Sequence, residues 1–361
     1  MRTAYVNGKF TAQRVTGVQR AALELTRSMD RQVPSQSRRW VLLCPPGSAR
    51  FPLEHIERRE VGFPGTPLHA WEQIVLPHAA RDGLLVNLGG SAPWRGRRQF
   101  ALLHDAAVFD HPEAYTAPFV GWYRLLFRRL ARRGAGLLTV SAFSRARLAA
   151  RLGVPPSRIG LVPNGGDHLE DVRPDDSVLA RHGLRPGRFL LAVASANPTK
   201  NLKALLSAFA RLPDGADHPL VIVGGGNRRV FARHRLPCPA GALHIGYQDD
   251  AALKSLYRHA TALVCPSLYE GFGLPPLEAM ACGCPVAVGA AAALPEVCGD
   301  AALYFDPRSV DDIAQALRRL LGDGPLRERL SRAGRERAQA FRWGESARLL
   351  QACVADAEGR P

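Results

Sequence analysis

Glu270 and Glu278 flank the run Gly271-Phe272-Gly273-Leu274-Pro275-Pro276-Leu277, and here residue types and spacing point most directly to chemistry. Amide N–H groups at a glycine turn that opens a helix suit phosphate, and the helix dipole favours an anion there. The two glutamates would repel a phosphate, so their natural work is to accept hydrogen bonds from hydroxyls. A ligand with phosphate in its middle and hydroxyls at both ends fits this arrangement, and a nucleotide-sugar is such a ligand. A glycine-rich turn alone is as often a tight connection. Two carboxylates at this spacing, with a proline pair between them, favour the ligand.

The elements that must hold these residues are legible on either side. Residues 261–265 form a short apolar run that reads as a buried strand, and 277–281 read as a helix with Pro275 or Pro276 in its first turn. In an open α/β sheet a loop so placed lies at the carboxyl end of a strand, where ligands bind. The rest of the chain repeats the alternation. Strand-like runs at 40–43, 84–88, 100–103, 137–140 and 159–162, then at 189–193, 220–223, 243–245, 262–265, 286–288 and 302–305, are separated by helical patterns. This predicts parallel sheets covered by helices on both faces. Two domains of ordinary size fit in 361 residues. The polar, proline-bearing stretch 171–176 suits a linker, which places the boundary near residue 170, and the segment from Glu345 reads as a final helix.

Composition narrows the class. Hydrophobic residues make up 46% of the chain, enough for substantial cores, yet no apolar run approaches the roughly 18 residues that cross a bilayer. The N-terminus lacks the apolar stretch of a signal peptide. Seven cysteines cannot all pair internally, and Cys282 and Cys284 have no second pair to complete a zinc site. Reduced thiols in a cytosolic protein are expected, with Cys282 and Cys284 as small packing residues. The net charge of +16, mostly arginine, suits an anionic partner such as phosphorylated ligands, a membrane surface or nucleic acid; a genome-wide preference for arginine explains it equally well.

The segment from Glu270 to Glu278, followed by Ala279-Met280-Ala281-Cys282-Gly283-Cys284-Pro285-Val286, resembles the E-x7-E signature of family-four retaining glycosyltransferases. At least five blocks match in order between residues 5 and 343. The resemblance implies the GT-B fold, two Rossmann-like domains with the active site in the cleft between them. Residues 1–170 would form the acceptor-side domain and 171–340 the nucleotide-sugar domain, with a helix in 341–361 crossing back to the first.

The resemblance also implies roles for particular residues. Glu270 would position the sugar hydroxyls and Glu278 the nucleotide ribose, with Gly271, Phe272, Gly273 and Leu274 lining the donor through their backbone. Ala194-Ser195-Ala196-Asn197-Pro198-Thr199-Lys200-Asn201 resembles the diphosphate loop, so Lys200 would neutralise charge as the diphosphate departs. Relatives often carry arginine where this chain has Ser195, which leaves a weaker hydrogen bond there or a substitute cation. Val223-Gly224-Gly225-Gly226-Asn227 would be a second turn near the nucleotide, and Tyr247 would stack on the base or pack. In the first half Gly17 opens a helix at 18–29 and its loop would close over the donor, with Arg20 on a phosphate or in solvent. His104, ending Leu102-Leu103-His104-Asp105, would touch the transferred sugar. Asp105 and His111 follow it in the same family block. Ser141 reads as an N-cap, with Arg145 able to pair with an anion. Asn164-Gly165 has turn chemistry that needs no ligand.

Arg124, Arg128, Arg129, Arg132 and Arg133 alternate with bulky apolar residues in one helical pattern. They predict either a packed surface helix or one that also meets anionic lipid headgroups. The expected activity is metal-independent transfer of a sugar, with retention, to a hydroxyl of a surface polysaccharide or lipid-linked oligosaccharide. No Asp-x-Asp motif occurs to bridge a diphosphate through a metal, and neither metal nor cofactor is expected. GDP-mannose is the first donor guess, with UDP-hexoses and deoxysugar donors next. The expected location is cytoplasmic, at the inner face of the membrane. The rival readings are a nucleotide-sugar hydrolase or epimerase, for which no extra acid/base set is located, a catalytically weak GT-B scaffold, supported by Ser195, and a basic anion- or nucleic-acid-binding protein, which 7% aromatics disfavour.

Overall fold

The computed structural model describes residues 3–33, 38–96, 98–212, 217–224 and 239–356. Its apolar runs pair into two all-parallel sheets, one in each of two compact units. The first sheet contains β1 (Thr3–Asn7), β2 (Arg39–Cys44), β3 (Glu57–Glu60), β4 (Leu84–Asn87), β5 (Gln99–Leu102), β6 (Gly136–Thr139) and β7 (Ile159–Leu161), in the order β3-β2-β1-β4-β5-β6-β7. The second contains β8 (Leu190–Val193), β9 (Leu220–Val223), β10 (Ala242–Gly246), β11 (Ala262–Cys265), β12 (Val286–Gly289) and β13 (Leu303–Phe305), in the order β10-β9-β8-β11-β12-β13. Each strand order reverses once, between β1 and β4 and between β8 and β11. Such switch points are where open α/β sheets bind ligands.

The expected apolar strands are all present to within a residue or two. β1 and β3 lie outside those expected runs, β3 because its sequence is Glu57-Arg58-Arg59-Glu60. It is an edge strand, and charges on an edge oppose further pairing. The helices cover the sheets as their apolar stripes require. In the second unit Leu205 and Phe209 of α4 (Leu202–Phe209), with Ile313 and Leu317 of α7 (Val310–Gly322), enclose Leu190 and Ile222. In the first, Leu126, Phe127 and Leu130 of α2 (Ala117–Arg132) cover Leu103 and Leu137, while Trp71 and Leu76 cover Tyr5, Val41 and Leu85. Ser141 caps α3 (Ala142–Leu152) as expected, its Oγ accepting from Ser144 N at 3.0 Å.

The chain divides between Asn164 and Gly165, a few residues before the expected boundary near residue 170. The stretch read as a linker is bonded within the second unit. Asp175 N donates to Ala251 O at 3.0 Å, and Asp176 accepts from Ser255 Oγ at 2.7 Å on α5 (Asp250–His259). The final helix α9 (Trp343–Asp356) belongs to the first unit. It packs on α1 (Gly17–Asp30), where Gln32 Nε2 donates to Gly344 O at 2.8 Å. Among the described residues no helix is long and apolar enough to cross a membrane.

The arginines of α2 do not act as one face. Arg124 donates to the carbonyls of Val108 and Phe109, at 2.7 and 3.2 Å. Arg129 donates to Trp94 O at 2.9 Å and lies 4.2 Å over that ring. Both belong to the packing, because a planar guanidinium can satisfy carbonyls and stack at once. Arg128, Arg132 and Arg133 are exposed, as is Leu125 one and two turns before Arg128 and Arg132, and Arg128 also lies 5.7 Å over the Phe109 ring.

Candidate active site

β8 and β11 are neighbours in the second sheet, so the loops leaving their carboxyl ends lie side by side. Leu268 N donates to Thr199 O at 2.8 Å between those two loops. Asn201 Nδ2 adds bonds to the carbonyls of Pro266 and Pro307, at 3.1 and 2.6 Å. Asn201 sits at φ +54°, a left-handed conformation that asparagine or glycine adopts readily, and this turn aims the preceding residue out of the loop.

That preceding residue is Lys200. Its Nζ donates to both carboxylate oxygens of Glu270, at 2.7 and 2.9 Å. Ser267 Oγ donates to Glu270 Oε1 at 2.7 Å, so the carboxylate is held from two directions. Lys200 keeps about a quarter of its side chain exposed against 11% for Glu270, so the ammonium is the accessible member. Nearby, burial and the Glu270 charge push the Cys265 thiol up to about 11, which leaves it protonated and inert.

Glu278 lies one turn into α6 (Leu274–Ala281) and is 6% exposed. Two residues that the sequence reading did not assign hold it. Tyr257 on α5, fully buried, donates its hydroxyl to Oε2 at 2.8 Å. His168 Nε2 lies 3.1 Å from Oε1. Burial and the Glu278 charge raise the Tyr257 pKa well above 10, so it remains a donor at all physiological pH. The only sequence signal for Tyr257 was an aromatic on the apolar side of a helix, whose hydroxyl must find a partner when buried.

The loop between the glutamates is shaped by Gly273, which caps α6 at φ +107° and would drive a Cβ to 2.8 Å from Leu294. The helix start is poorer in amide donors than the glycine turn implied. Pro275 and Pro276 have no N–H, and Leu277 N already bonds to Gly273 O at 3.3 Å. Donors for a ligand must come from the loop amides up to Leu274. The Phe272 ring is buried edge-on against Phe341 at 5.6 Å, so its side chain is structural. Leu274 is likewise buried. Ser195 is exposed, with its Oγ 3.4 Å from Asn197 N. Gly224 approaches β8 so closely that a Cβ would lie 2.2 Å from Ala194 O. Residues 225–227 of that turn lie outside the described residues. Tyr247 is 45% exposed.

In the first unit, the loop after β5 carries His104. Its Nε2 donates to Leu88 O at 2.9 Å, which fixes the tautomer and leaves Nδ1 as acceptor. Burial lowers its pKa, so the ring is neutral near pH 7. Asp105 caps the next turn through Ala107 N at 2.8 Å, and His111 pairs with Glu113 at 2.9 Å. Arg20 is 3.3 Å from Glu24 on its own helix. Gly17 opens α1 exposed, with nothing within 4 Å of where a Cβ would stand. At the β1–β4 switch point is a buried network the sequence did not disclose. Glu72 accepts from Lys9 Nζ at 2.7 Å, Asn7 Nδ2 at 3.1 Å and Ser91 Oγ at 2.6 Å.

Two parallel α/β units, each with polar loops at its switch point, place polar groups where open α/β sheets bind ligands. The family model described as "Glycosyl transferases group 1" matches residues 180–337, and "Glycosyltransferase Family 4" matches 15–168. The O-antigen chain mannosyltransferase B of Escherichia coli is 32% identical over 260 residues, covering 70% of this chain and 68% of that one. Sucrose-phosphate synthase from Thermosynechococcus elongatus shares the fold with a TM-score of 0.75 at 18% identity, covering all of both chains. The Anabaena protein HepE, in complex with UDP and glucose, does so with 0.72 at 17%, covering 99% of this chain and all of the other. The chain belongs to the family-four, group 1 glycosyltransferases of GT-B fold.

Proposed function

We propose that this glycosyltransferase transfers a hexose, mannose first among candidates, from a nucleoside-diphosphate donor to a hydroxyl of a growing cell-surface polysaccharide. The observation that carries this reading is the Lys200–Glu270 pair at the β8–β11 switch point. The similarity to an O-antigen chain mannosyltransferase supports mannose and the polysaccharide acceptor.

In this reading the diphosphate meets Lys200 Nζ and the loop amides before α6. As the anomeric bond breaks, negative charge grows on the diphosphate, and Lys200 is already positioned to receive it. Glu270 orients the sugar hydroxyls while holding Lys200. Glu278, fixed by Tyr257 and His168, accepts from the ribose hydroxyls through its remaining lone pairs. In the first unit His104 keeps Nδ1 as an acceptor suited to a sugar hydroxyl, and the bare surface at Gly17 leaves the start of α1 open. Lysine supplies the charge that a metal otherwise would, so transfer is expected without a divalent ion. Retention follows if the departing phosphate assists attack on the same face.

Calorimetric titration of the full chain with GDP, UDP and dTDP, each with and without magnesium, tests the donor site. One nucleotide is expected to bind in the micromolar range independently of magnesium, GDP if mannose is the sugar. A folded protein that binds none of them overturns the reading.

The exposed Arg128, Arg132 and Arg133, with the exposed Leu125 on the same side of the helix, further support docking of α2 on anionic lipid at the cytosolic face of a membrane. Each arginine near such a surface contributes about 1 kcal/mol. Charge reversal of the three is expected to abolish sedimentation with phosphatidylglycerol vesicles, with binding to neutral vesicles weak throughout. Undiminished sedimentation of the reversed variant removes the membrane from the proposal.

A further inference from the structure

Residues 270–273 lead from Glu270 into α6 without regular structure of their own, so their course is set by what they lean on. In the second unit two contacts do this. On one side the Phe272 ring meets the Phe341 ring edge-on, with centroids 5.6 Å apart. On the other, Glu270 O accepts from Ala293 N at 3.3 Å, and Leu294 closes the space beside Gly273.

One side chain holds both of these walls. α8 (Gly324–Ala338) packs on α6, with Gly334 against Met280 and Ser331 Oγ donating to Gly283 O at 2.6 Å. One turn beyond Gly334 it carries Arg337, whose guanidinium lies 5.0 Å over the Phe341 ring. Arg337 Nε donates to Val297 O at 2.9 Å and Nη2 to Glu296 O at 2.7 Å. Those carbonyls lie at the end of the short helix Leu294–Cys298, where the helix itself supplies no donors. A planar fork can satisfy two carbonyls and still lie over a ring, which the single ammonium of lysine cannot.

The short helix needs such a hold. Ala292, two residues before it, sits at φ +54°. That left-handed conformation is unfavourable for alanine and persists only where the surroundings fix it. Here the turn is fixed from both ends, by Ala293 N on Glu270 O and by Arg337 on the helix terminus.

We propose that Arg337 is the positioning residue of the donor loop: through Phe341 and the helix Leu294–Cys298 it holds both walls against which residues 270–273 are set. Its Nε and Nη2 are engaged with protein carbonyls, so its part is to place the loop and not to touch the ligand. The inference rests on the reading of residues 270–274 as the nucleotide-sugar loop, and it names what fixes that loop.

Hydrogen exchange of the full chain without ligand, read by mass spectrometry on peptides covering residues 268–280 and 291–299, tests the clamp. Arg337→Ala should speed exchange of the Ala293 and Val297 amides by roughly tenfold or more, as expected when hydrogen bonds from a charged donor are lost. Peptides from β8 and β9 should exchange as in wild type. Calorimetric titration with GDP, UDP and dTDP should show that the nucleotide bound by wild type binds the variant about tenfold more weakly. Phe341→Leu removes one wall only, so it should loosen 268–280 and leave 291–299 protected. Arg337→Lys keeps a cation with a single point of attachment and should show smaller effects in the same two segments; it decides the matter if the alanine variant does not fold. Unchanged exchange in both segments, or a loosened loop with wild-type nucleotide affinity, overturns the proposal. Exchange that rises equally throughout the chain also overturns it, because Arg337 would then serve stability alone. A wild type that binds none of the three nucleotides removes the donor-site reading itself, and the proposal with it, even where the exchange pattern is as expected.

Discussion

Glu270→Gln should lower kcat by roughly 10²–10³-fold with the melting temperature of the enzyme little changed. Glu270 accepts two bonds from Lys200 and one from Ser267. Glutamine preserves the volume but removes the charge, and its NH2 must face one of these donors. Lys200 then loses the partner that fixes its ammonium toward the departing diphosphate. Lys200→Ala should cost a similar factor by removing the cation itself. Because the two side chains work through one contact, the double variant should be little worse than either single one. Steady-state kinetics over the four proteins, with calorimetric melting as the control for folding, decides this. Wild-type turnover by Glu270→Gln would end the assignment, and losses that multiply would show two independent roles.

Tyr257→Phe should destabilise the protein by about 1–3 kcal/mol, because it leaves one oxygen of the buried Glu278 without its donor. For a domain of 150–250 residues that corresponds to a fall of roughly 2–4 °C per kcal/mol in melting temperature. The carboxylate should also become less fixed in direction, so donor KM should rise about tenfold with a smaller change in kcat. His168→Gln retains a donor on the other oxygen's side and should be milder. A Tyr257→Phe enzyme with wild-type melting and donor KM would show that Glu278 needs no such support. A fall in stability alone would make Tyr257 structural only.

Glu278 illustrates how far the linear chain could be read. The strand, glycine turn and helix around it follow from local composition, and so does its position on the first turns of α6. Periodicity and glycine placement act over a few residues, so the fold class, the strands and the loops that carry Lys200, Glu270 and His104 were all legible. β3 was not, because a charged edge strand has none of the apolar signal that marks an interior one.

Local pattern also gave no way to distribute the arginines of α2. Five in one helix look alike in sequence, yet Arg124 and Arg129 satisfy carbonyls of their own unit while Arg128, Arg132 and Arg133 are exposed, Arg128 with its guanidinium over the Phe109 ring. The proline pair at 275–276 suited a helix start, but its cost in amide donors became visible only when the bond from Leu277 N to Gly273 O was placed.

By itself, then, the sequence determined two parallel α/β units and which loops carry charge or glycine. The tertiary structure decided which of those loops meet. Lys200 and Glu270, 70 residues apart, are partners because β8 and β11 adjoin at the reversal of strand order. Glu278 meets Tyr257 and His168 because α5 and the turn Asp167–Leu169 pack on α6. Contacts of that separation depend on sheet order and helix packing, which are set by burial summed over a whole domain and not by any short stretch of chain.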